Sequence, residues 1–314
     1  MDIRHHTLEH APAFGPSLVA MGIFDGVHSG HRKILQELAG HAKARGLAST
    51  VVTFDPHPSV LLAPEHRPRL LMTLDQRLEA FGQAGLDAAW VIPFSRAFSE
   101  LSPVDFLRDF QRVLSPLELH VGSGFHFGHQ RKGDLETLRA WGREARCEIH
   151  PYSLRAPDGG PLSSTRIREA LNRGDAQEAT QLLGRPYELT GIVVEGDRRG
   201  RHLGFPTANL AWQQEQLPAF GAYVTQVRGS HIEGARLGLT NVGEKPTFHG
   251  LALTVETFLP DFEGDLYGAR LDVGFLHRLR PERRFENMEA LKDQITEDVR
   301  EGQVWWKAHW EPRA

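Results

Sequence analysis

The sequence predicts an α/β domain with a parallel sheet and flanking helices, followed by a small antiparallel β-barrel with a C-terminal helix. Three observations support this fold class. The chain of 314 residues is longer than a domain with a single hydrophobic core usually is, so two domains are expected. In the first half, apolar strands alternate with amphipathic helices, whereas after Gly184-Arg185-Pro186 short strands follow one another. We therefore place the domains at residues 1–185 and 186–314.

The first half is an ordered alternation of strands and helices. Strands are predicted at residues 18–21, 50–54, 88–92 and 117–121, and helices at 30–45, 74–81, 104–113 and 133–145. Shorter helices are predicted at 163–173 and 176–183. This order implies right-handed crossovers and a parallel sheet, whose ligands bind at the carboxyl ends of the strands. Two glycine-rich stretches, 22–30 and 122–133, lie at such ends.

The second half has strand patterns at residues 187–195, 223–227, 251–259 and 270–275, with turn residues between them. A helix of some length is predicted only at 287–301. We therefore expect a barrel closed by a C-terminal helix.

Composition narrows the functional classes. Lys and Arg number 36 against 40 Asp and Glu, so the formal charge of −4 does not predict broad binding to nucleic acid or to membranes. The single cysteine, Cys147, excludes an internal disulfide and a cysteine-based metal site. We see no signal peptide and no apolar run near the ~18 residues that span a bilayer, so we expect a cytoplasmic protein.

The first motif follows the first predicted strand and opens the first helix. It contains His28-Ser29-Gly30-His31, in which the two histidines can face one point at the helix N-terminus. Free N–H groups and a partial positive charge make such a terminus suitable for phosphate. The imidazoles can donate hydrogen bonds to phosphate oxygens that gain charge in a transition state. A zinc site is the competing interpretation, but His-x-x-His supplies only two ligands.

Two further stretches accompany this motif. Thr53-Phe54-Asp55-Pro56-His57-Pro58 ends the second strand, where its prolines fix an extended turn. Ser163-Ser164-Thr165-Arg166-Ile167-Arg168 has the pattern of a helix cap followed by the first helical turn, and it can also bind phosphate.

The second motif spans residues 196–210 and joins two strands of the predicted barrel. Its glycines allow a turn that wraps a phosphate. Thr207 and Asn209 offer the hard oxygen ligands that Mg²⁺ prefers. Arg198, Arg199 and Arg201 add positive charge. A basic, glycine-rich surface hairpin is the alternative.

Taken together, these motifs resemble the prokaryotic bifunctional riboflavin kinase/FMN adenylyltransferase family, also called FAD synthetases. The resemblance implies a Rossmann-like nucleotidylyltransferase domain in which FMN attacks the α-phosphorus of ATP and pyrophosphate leaves. His28 and His31 are then catalytic, and Asp55 and His57 contact the flavin. The implied nucleotide- and phosphate-binding residues are Gly22, Phe24, Asp25, Gly30, Ser164, Thr165 and Arg168.

For the second domain, the Phe205-Pro206-Thr207-Ala208-Asn209 string resembles riboflavin kinases. The resemblance implies that Glu256 is the general base for the riboflavin 5′-hydroxyl. It assigns Mg²⁺, with Mn²⁺ as an alternative, to Thr207 and Asn209. The implied nucleotide contacts are Gly200, Arg201, Asn241 and Gly243, and the implied flavin contacts are Arg280 and Phe285.

One stretch departs from the family pattern. The family usually has Asp or Asn before Phe125 and often Arg at the next position, whereas Gly124 and His126 stand here. The alternative function is therefore a riboflavin kinase with an impaired adenylyltransferase domain. A flavin- or nucleotide-binding regulator without turnover is a third hypothesis, which the intact Thr207, Asn209 and Glu256 disfavour.

Overall fold

The computed structural model describes residues 1–196, 200, 203–247 and 250–310. The chain folds into two compact units, Met1–Ser163 and Ser164–Ala314. The predicted division between residues 185 and 186 falls later, because two helices group with the second unit. Among the described residues, no helix is long and apolar enough to cross a membrane.

The first unit contains a six-stranded sheet in the order β1-β4-β3-β2-β5-β6, whose neighbouring strands all pair in parallel. The strands are β1 (Asp2–His5), β2 (Ser17–Met21), β3 (Ala48–Asp55), β4 (Ala88–Pro93), β5 (Pro116–Gly122) and β6 (Glu148–Tyr152). The helices are α1 (Ser29–Ala44), α2 (Pro58–Leu62), α3 (Leu74–Gln83), α4 (Arg96–Ser99), α5 (Pro103–Leu114) and α6 (Leu135–Ala145). The predicted parallel α/β architecture is confirmed.

Buried apolar side chains hold the helices of this unit on the sheet. β2 is buried throughout, as expected for a central strand covered on both faces. α5 buries Phe106, Phe110 and Val113 in the same core as Trp90 of β4. This packing fixes the carboxyl ends of β2, β3 and β5, where the loops with the first motif lie.

The second unit begins with α7 (Ser164–Arg173) and α8 (Ala176–Leu183) and continues into a closed barrel. The strands are β7 (Tyr187–Val194), β8 (Thr207–Trp212), β9 (Gly221–Gly229), β10 (Ile232–Thr247), β11 (Gly250–Phe258) and β12 (Arg270–Pro281). They pair antiparallel in the order β10-β11-β8-β7-β12-β9. The predicted barrel is therefore confirmed.

The C-terminal helix α9 (Met288–His309) packs on the outside of this barrel. Trp306 contacts Val224 of β9 and Leu276 of β12 in a small apolar cluster. Gly302 permits a close approach, since a Cβ there would lie 2.5 Å from a methyl group of Leu239. The barrel and α9 therefore share one core.

Candidate active sites

The first site is built around two stacked histidines at the N-terminus of α1. His28 caps the helix by accepting a 3.3 Å hydrogen bond at Nδ1 from the backbone N–H of His31. The two rings are nearly parallel, with centroids 3.6 Å apart. The two predicted histidines therefore pack against each other as one unit at the N-terminus of α1.

His31 is held in a buried, apolar setting. Its ring meets the rings of Phe24 and Tyr152 edge-on, at centroid distances of 5.1 and 6.5 Å. Its Nδ1 is buried with no hydrogen-bond partner among the described residues. Loss of hydration, reinforced by the neighbouring His28, lowers the pKa of His31 well below its usual value. The ring is therefore neutral at neutral pH and has one N–H to donate.

The loop before α1 is shaped by left-handed backbone and by one buried carboxylate. Phe24 and Val27 have φ values of 55° and 35°. Both oxygens of Asp25 accept from Leu71 N, and one also accepts from Met72 N, at 3.0–3.2 Å. These contacts give Asp25 a role in fixing the loop.

The packing around position 30 explains why a glycine stands there. A Cβ at this position would lie 2.9 Å from methyl groups of both Leu154 and Leu162. The missing side chain therefore makes room for Leu154 and Leu162, and the predicted contact of Gly30 with a nucleotide stays a prediction.

A cavity of about 820 Å³ lies beside this loop, and six phenylalanines are among the residues that line it. Gly22, His57 and Gly124 also line it. His57 caps α2, with its Nδ1 accepting a 3.1 Å hydrogen bond from Ser59 N. The aromatic lining residues are Phe54, Phe94, Phe98, Phe106, Phe125 and Phe127. A cavity of this size and lining suits a large planar ring.

Asp55 and the three predicted phosphate-binding residues of α7 are not among the residues that line this cavity. Asp55 ends β3, and its carboxylate lies 3.6 Å from the buried guanidinium of Arg77. Ser164, Thr165 and Arg168 lie in the first turns of α7, in the second unit. Their predicted phosphate contacts remain predictions.

Strand register creates the second site. Glu256 on β11 pairs directly with Asn241 on β10 and with Asn209 on β8. Thr207 lies two residues before Asn209, on the same face of β8. Directly opposed residues have Cβ atoms about 5 Å apart, so these polar side chains form one row across three strands.

This row opens into a cavity of about 370 Å³. The predicted residues that line the cavity are Gly200, Thr207, Asn209, Asn241, Glu256, Arg280 and Phe285. Gly243 lies beside it, where a Cβ would come within 2.1 Å of Oε1 of Glu282. The predicted Arg201 is outside the described residues.

Arg280 connects the cavity to the C-terminal helix. Its guanidinium donates to both carboxylate oxygens of the buried Asp298, at 2.7–3.1 Å. The same guanidinium lies 5.5 Å from the centre of the Phe285 ring. A bidentate pair of this kind fixes the side chain's direction, so Arg280 and Asp298 form one rigid ion pair in the cavity wall.

Sequence reasoning missed Arg77, which organises the first site. It is buried on α3 and donates to Ile23 O and Thr53 Oγ1, both at 3.0 Å. These bonds tie the loop after β2 to the end of β3. The available signal was an arginine at an inward position of an amphipathic helix.

The fold and the two cavities define a two-unit protein with a nucleotide-transferase type of α/β unit and a ligand-binding barrel. The FAD synthetase family model matches residues 11–166, and the riboflavin kinase model matches residues 183–306. The chain belongs to the bifunctional riboflavin kinase/FMN adenylyltransferase family.

Relatives with that name match almost end to end. The protein from Escherichia coli K12 is 36% identical over 93% of each chain, and the one from Pseudomonas fluorescens is 38% identical over 90% of each. A solved structure, described as a macrolide-efflux protein from Streptococcus pneumoniae, is 28% identical, with a TM-score of 0.87 over 97% of this chain and 100% of that chain.

Proposed function

We propose that this protein makes FAD from riboflavin in two ATP-dependent steps, phosphorylation in the barrel and adenylylation in the α/β unit. The observation that supports this most is the row of Asn209, Glu256 and Asn241 on one cavity wall. Matches to both family models, in separate parts of the chain, support the two-step function over a kinase alone.

In the kinase step, we assign the general base to Glu256. Its carboxylate accepts the proton of the riboflavin 5′-hydroxyl as that oxygen forms a bond to the γ-phosphorus of ATP. The bond from the γ-phosphorus to the bridging oxygen breaks, and ADP leaves. Arg280 and Phe285 line the same cavity and contact the flavin, while Gly200, Asn241 and Gly243 are assigned to the nucleotide.

The residues of the row also fit a hard cation. Thr207 supplies a hydroxyl and Asn209 an amide oxygen on one face of β8, and Glu256 adds a carboxylate beside them. Oxygen donors of this kind suit Mg²⁺, which balances the charge of the ATP phosphates when bound. Thr207 and Asn209 are the residues we propose to hold it.

In the adenylylation step, an oxygen of the FMN phosphate attacks the α-phosphorus of ATP, and the bond to pyrophosphate breaks. His28 and His31 at the helix N-terminus hold the phosphates by hydrogen bonds, without a covalent intermediate. The aromatic cavity that includes His57 receives the flavin ring. Gly22 and Phe24 shape the phosphate loop beside it.

Small molecules are the proposed partners, and the cytoplasm is the proposed location. Both steps consume ATP, and the buried thiol of Cys147 is free, which suits a reducing compartment. The net charge of −4 gives no support for a nucleic-acid partner.

The test separates the two steps with one substitution. Glu256→Gln keeps the side chain's size and removes its basicity. We expect FMN formation from riboflavin to fall by about 10²–10⁴-fold, the usual contribution of a general base. FAD formation from supplied FMN stays unchanged, and both products are followed by chromatography with ATP and Mg²⁺.

The control is Glu233→Gln, the same chemical change at an exposed residue outside the cavity. Retention of the kinase step in Glu256→Gln would refute the base assignment. Wild-type protein that accumulates FMN and makes no FAD, with Mg²⁺ or Mn²⁺, would establish the alternative of an impaired adenylyltransferase with Gly124.

A further inference from the structure

We propose that Glu118, His120 and His150 form a binding site for one divalent transition-metal ion of the zinc type. His120 on β5 and His150 on the edge strand β6 are direct neighbours in the parallel pair. Glu118 precedes His120 by two residues and so lies on the same face of β5. These residues have no part in either reaction assigned above.

The three ligand atoms lie close to metal-binding distances. Nε2 of His120 is 3.3 Å from Oε2 of Glu118, and Nε2 of His150 is 3.9 Å from the same oxygen. All three ligand atoms lie within 4.8 Å of one another. In a tetrahedral zinc site with bonds of about 2.1 Å, ligand atoms are about 3.4 Å apart. Small rotations of the two rings, now stacked with centroids 4.6 Å apart, bring the atoms together.

The present arrangement leaves one polar atom unsatisfied. Nε2 of His150 is buried and makes no hydrogen bond to any described residue. An unpaired buried nitrogen is costly, and a bound cation would satisfy it.

The residues around the cluster complete the coordination. Arg45, the residue that follows the last turn of α1, donates to Oε1 of Glu118, so that Oε2 faces the two imidazoles. Hydrogen bonds of this kind commonly orient carboxylates that bind metals. The exposed carboxylate of Glu148 lies 3.5 Å from Nε2 of His150 and offers an oxygen as a fourth ligand. Two imidazoles with carboxylate oxygens are a donor set suited to zinc.

An ion here would fasten the edge strand of the sheet to its neighbour. β5 leads into Gly124, which lines the aromatic cavity, and β6 ends at Tyr152, whose ring contacts His31. The expected role is therefore structural, holding two strand ends that support the adenylylation site.

The test uses the purified full-length protein, stripped with a chelator and titrated with Co²⁺ in excess Mg²⁺. Co²⁺ replaces zinc and gives visible absorption bands in a tetrahedral site. We expect one Co²⁺ per chain at this site, displaced by Zn²⁺. The substitutions His120→Gln and His150→Gln each weaken Co²⁺ binding by about tenfold or more. His231→Gln, at an exposed turn residue distant in sequence, leaves it intact.

The metal-free proteins provide the folding control. Both cluster variants keep the far-UV circular dichroism of the wild type, and Zn²⁺ raises the melting temperature of the wild type but not of the variants. Absence of Co²⁺ binding, or undiminished binding in either cluster variant, would overturn the proposal.

Discussion

Replacing Gly124 tests whether the departure from the family pattern limits adenylyl transfer. Gly124 lines the aromatic cavity, and a Cβ built there meets none of the described atoms within 4 Å. Its backbone is outside the left-handed region, so an ordinary side chain fits without strain. Gly124→Asn restores one of the family's usual residues, and Gly124→Ala changes only the backbone's freedom.

Both substitutions should stabilise the protein, because a side chain reduces the freedom of the unfolded chain. The expected gain is about 0.4–1 kcal/mol. For a unit of this size, that gain corresponds to a rise in melting temperature of about 1–4 °C.

Only asparagine should accelerate FAD formation. One additional hydrogen bond to a substrate in the transition state contributes about 0.5–1.5 kcal/mol, which is about 2- to 13-fold in kcat/KM. The assay is FAD formation from FMN and ATP, and FMN formation from riboflavin in the barrel is the internal control. Equal rates for Asn and Ala, or a slower Asn variant, would refute the expectation that the amide side chain at position 124 assists adenylyl transfer.

Two further predictions concern stability of the first unit. Burial lowers the pKa of His31 below 6.5 in the folded protein, so His31 takes up a proton more readily in the unfolded chain. The free energy of unfolding should therefore decline as the pH falls below 6.5. Melting temperatures of wild type and His31→Gln across this range should show the smaller decline in the variant, and parallel curves would contradict it. Gly30→Ala should cost about 1–3 kcal/mol by crowding two leucines, whereas Gly40→Ala, in open space on the same helix, should stabilise by about 0.5–1 kcal/mol. Urea unfolding measures both changes, and equal effects would show that the close contacts at Gly30 relax freely.

Hydrophobic periodicity was sufficient for the central elements of the first unit. α1 and α5 begin and end within one residue of the predicted ranges, since their apolar residues recur at helical spacing. β6 was missed because His150 and Pro151 interrupt its apolar pattern. β1 was missed because it is short and exposed at the sheet edge.

In the second unit, the long strand β10 was not predicted because glycines interrupt its sequence. β10 contains Gly234, Gly238 and Gly243, which favour turns when only neighbouring residues are considered. Gly238 is required by its surroundings, since a Cβ would lie 2.5 Å from a methyl group of Val227 on the next strand. A contact between strands of this kind has no local signal in the sequence.

The candidate sites, like the fold, were predicted from the sequence only in part. The candidate residues His28, Thr207, Asn209 and Glu256 were selected because their residue types and order resemble a family, and their roles stay predictions. The aromatic cavity was missed because its phenylalanines come from β3 and from loops and helices distant in sequence, and only the folded sheet brings them together. Arg77 was missed because its hydrogen bonds reach across the sheet edge to Ile23 and Thr53.

Strand pairing explains why the residues proposed for the kinase step occur at their particular spacing. Glu256 lies between Asn209 and Asn241 only in the observed register, and a slip of one residue would turn its side chain to the other face of the barrel. Thr207 and Asn209 share a face because two residues separate them. The two-residue spacing of Thr207 and Asn209 therefore places both side chains on one face of β8. The histidines of the other unit depend instead on one helix terminus, where a three-residue spacing is enough to stack them.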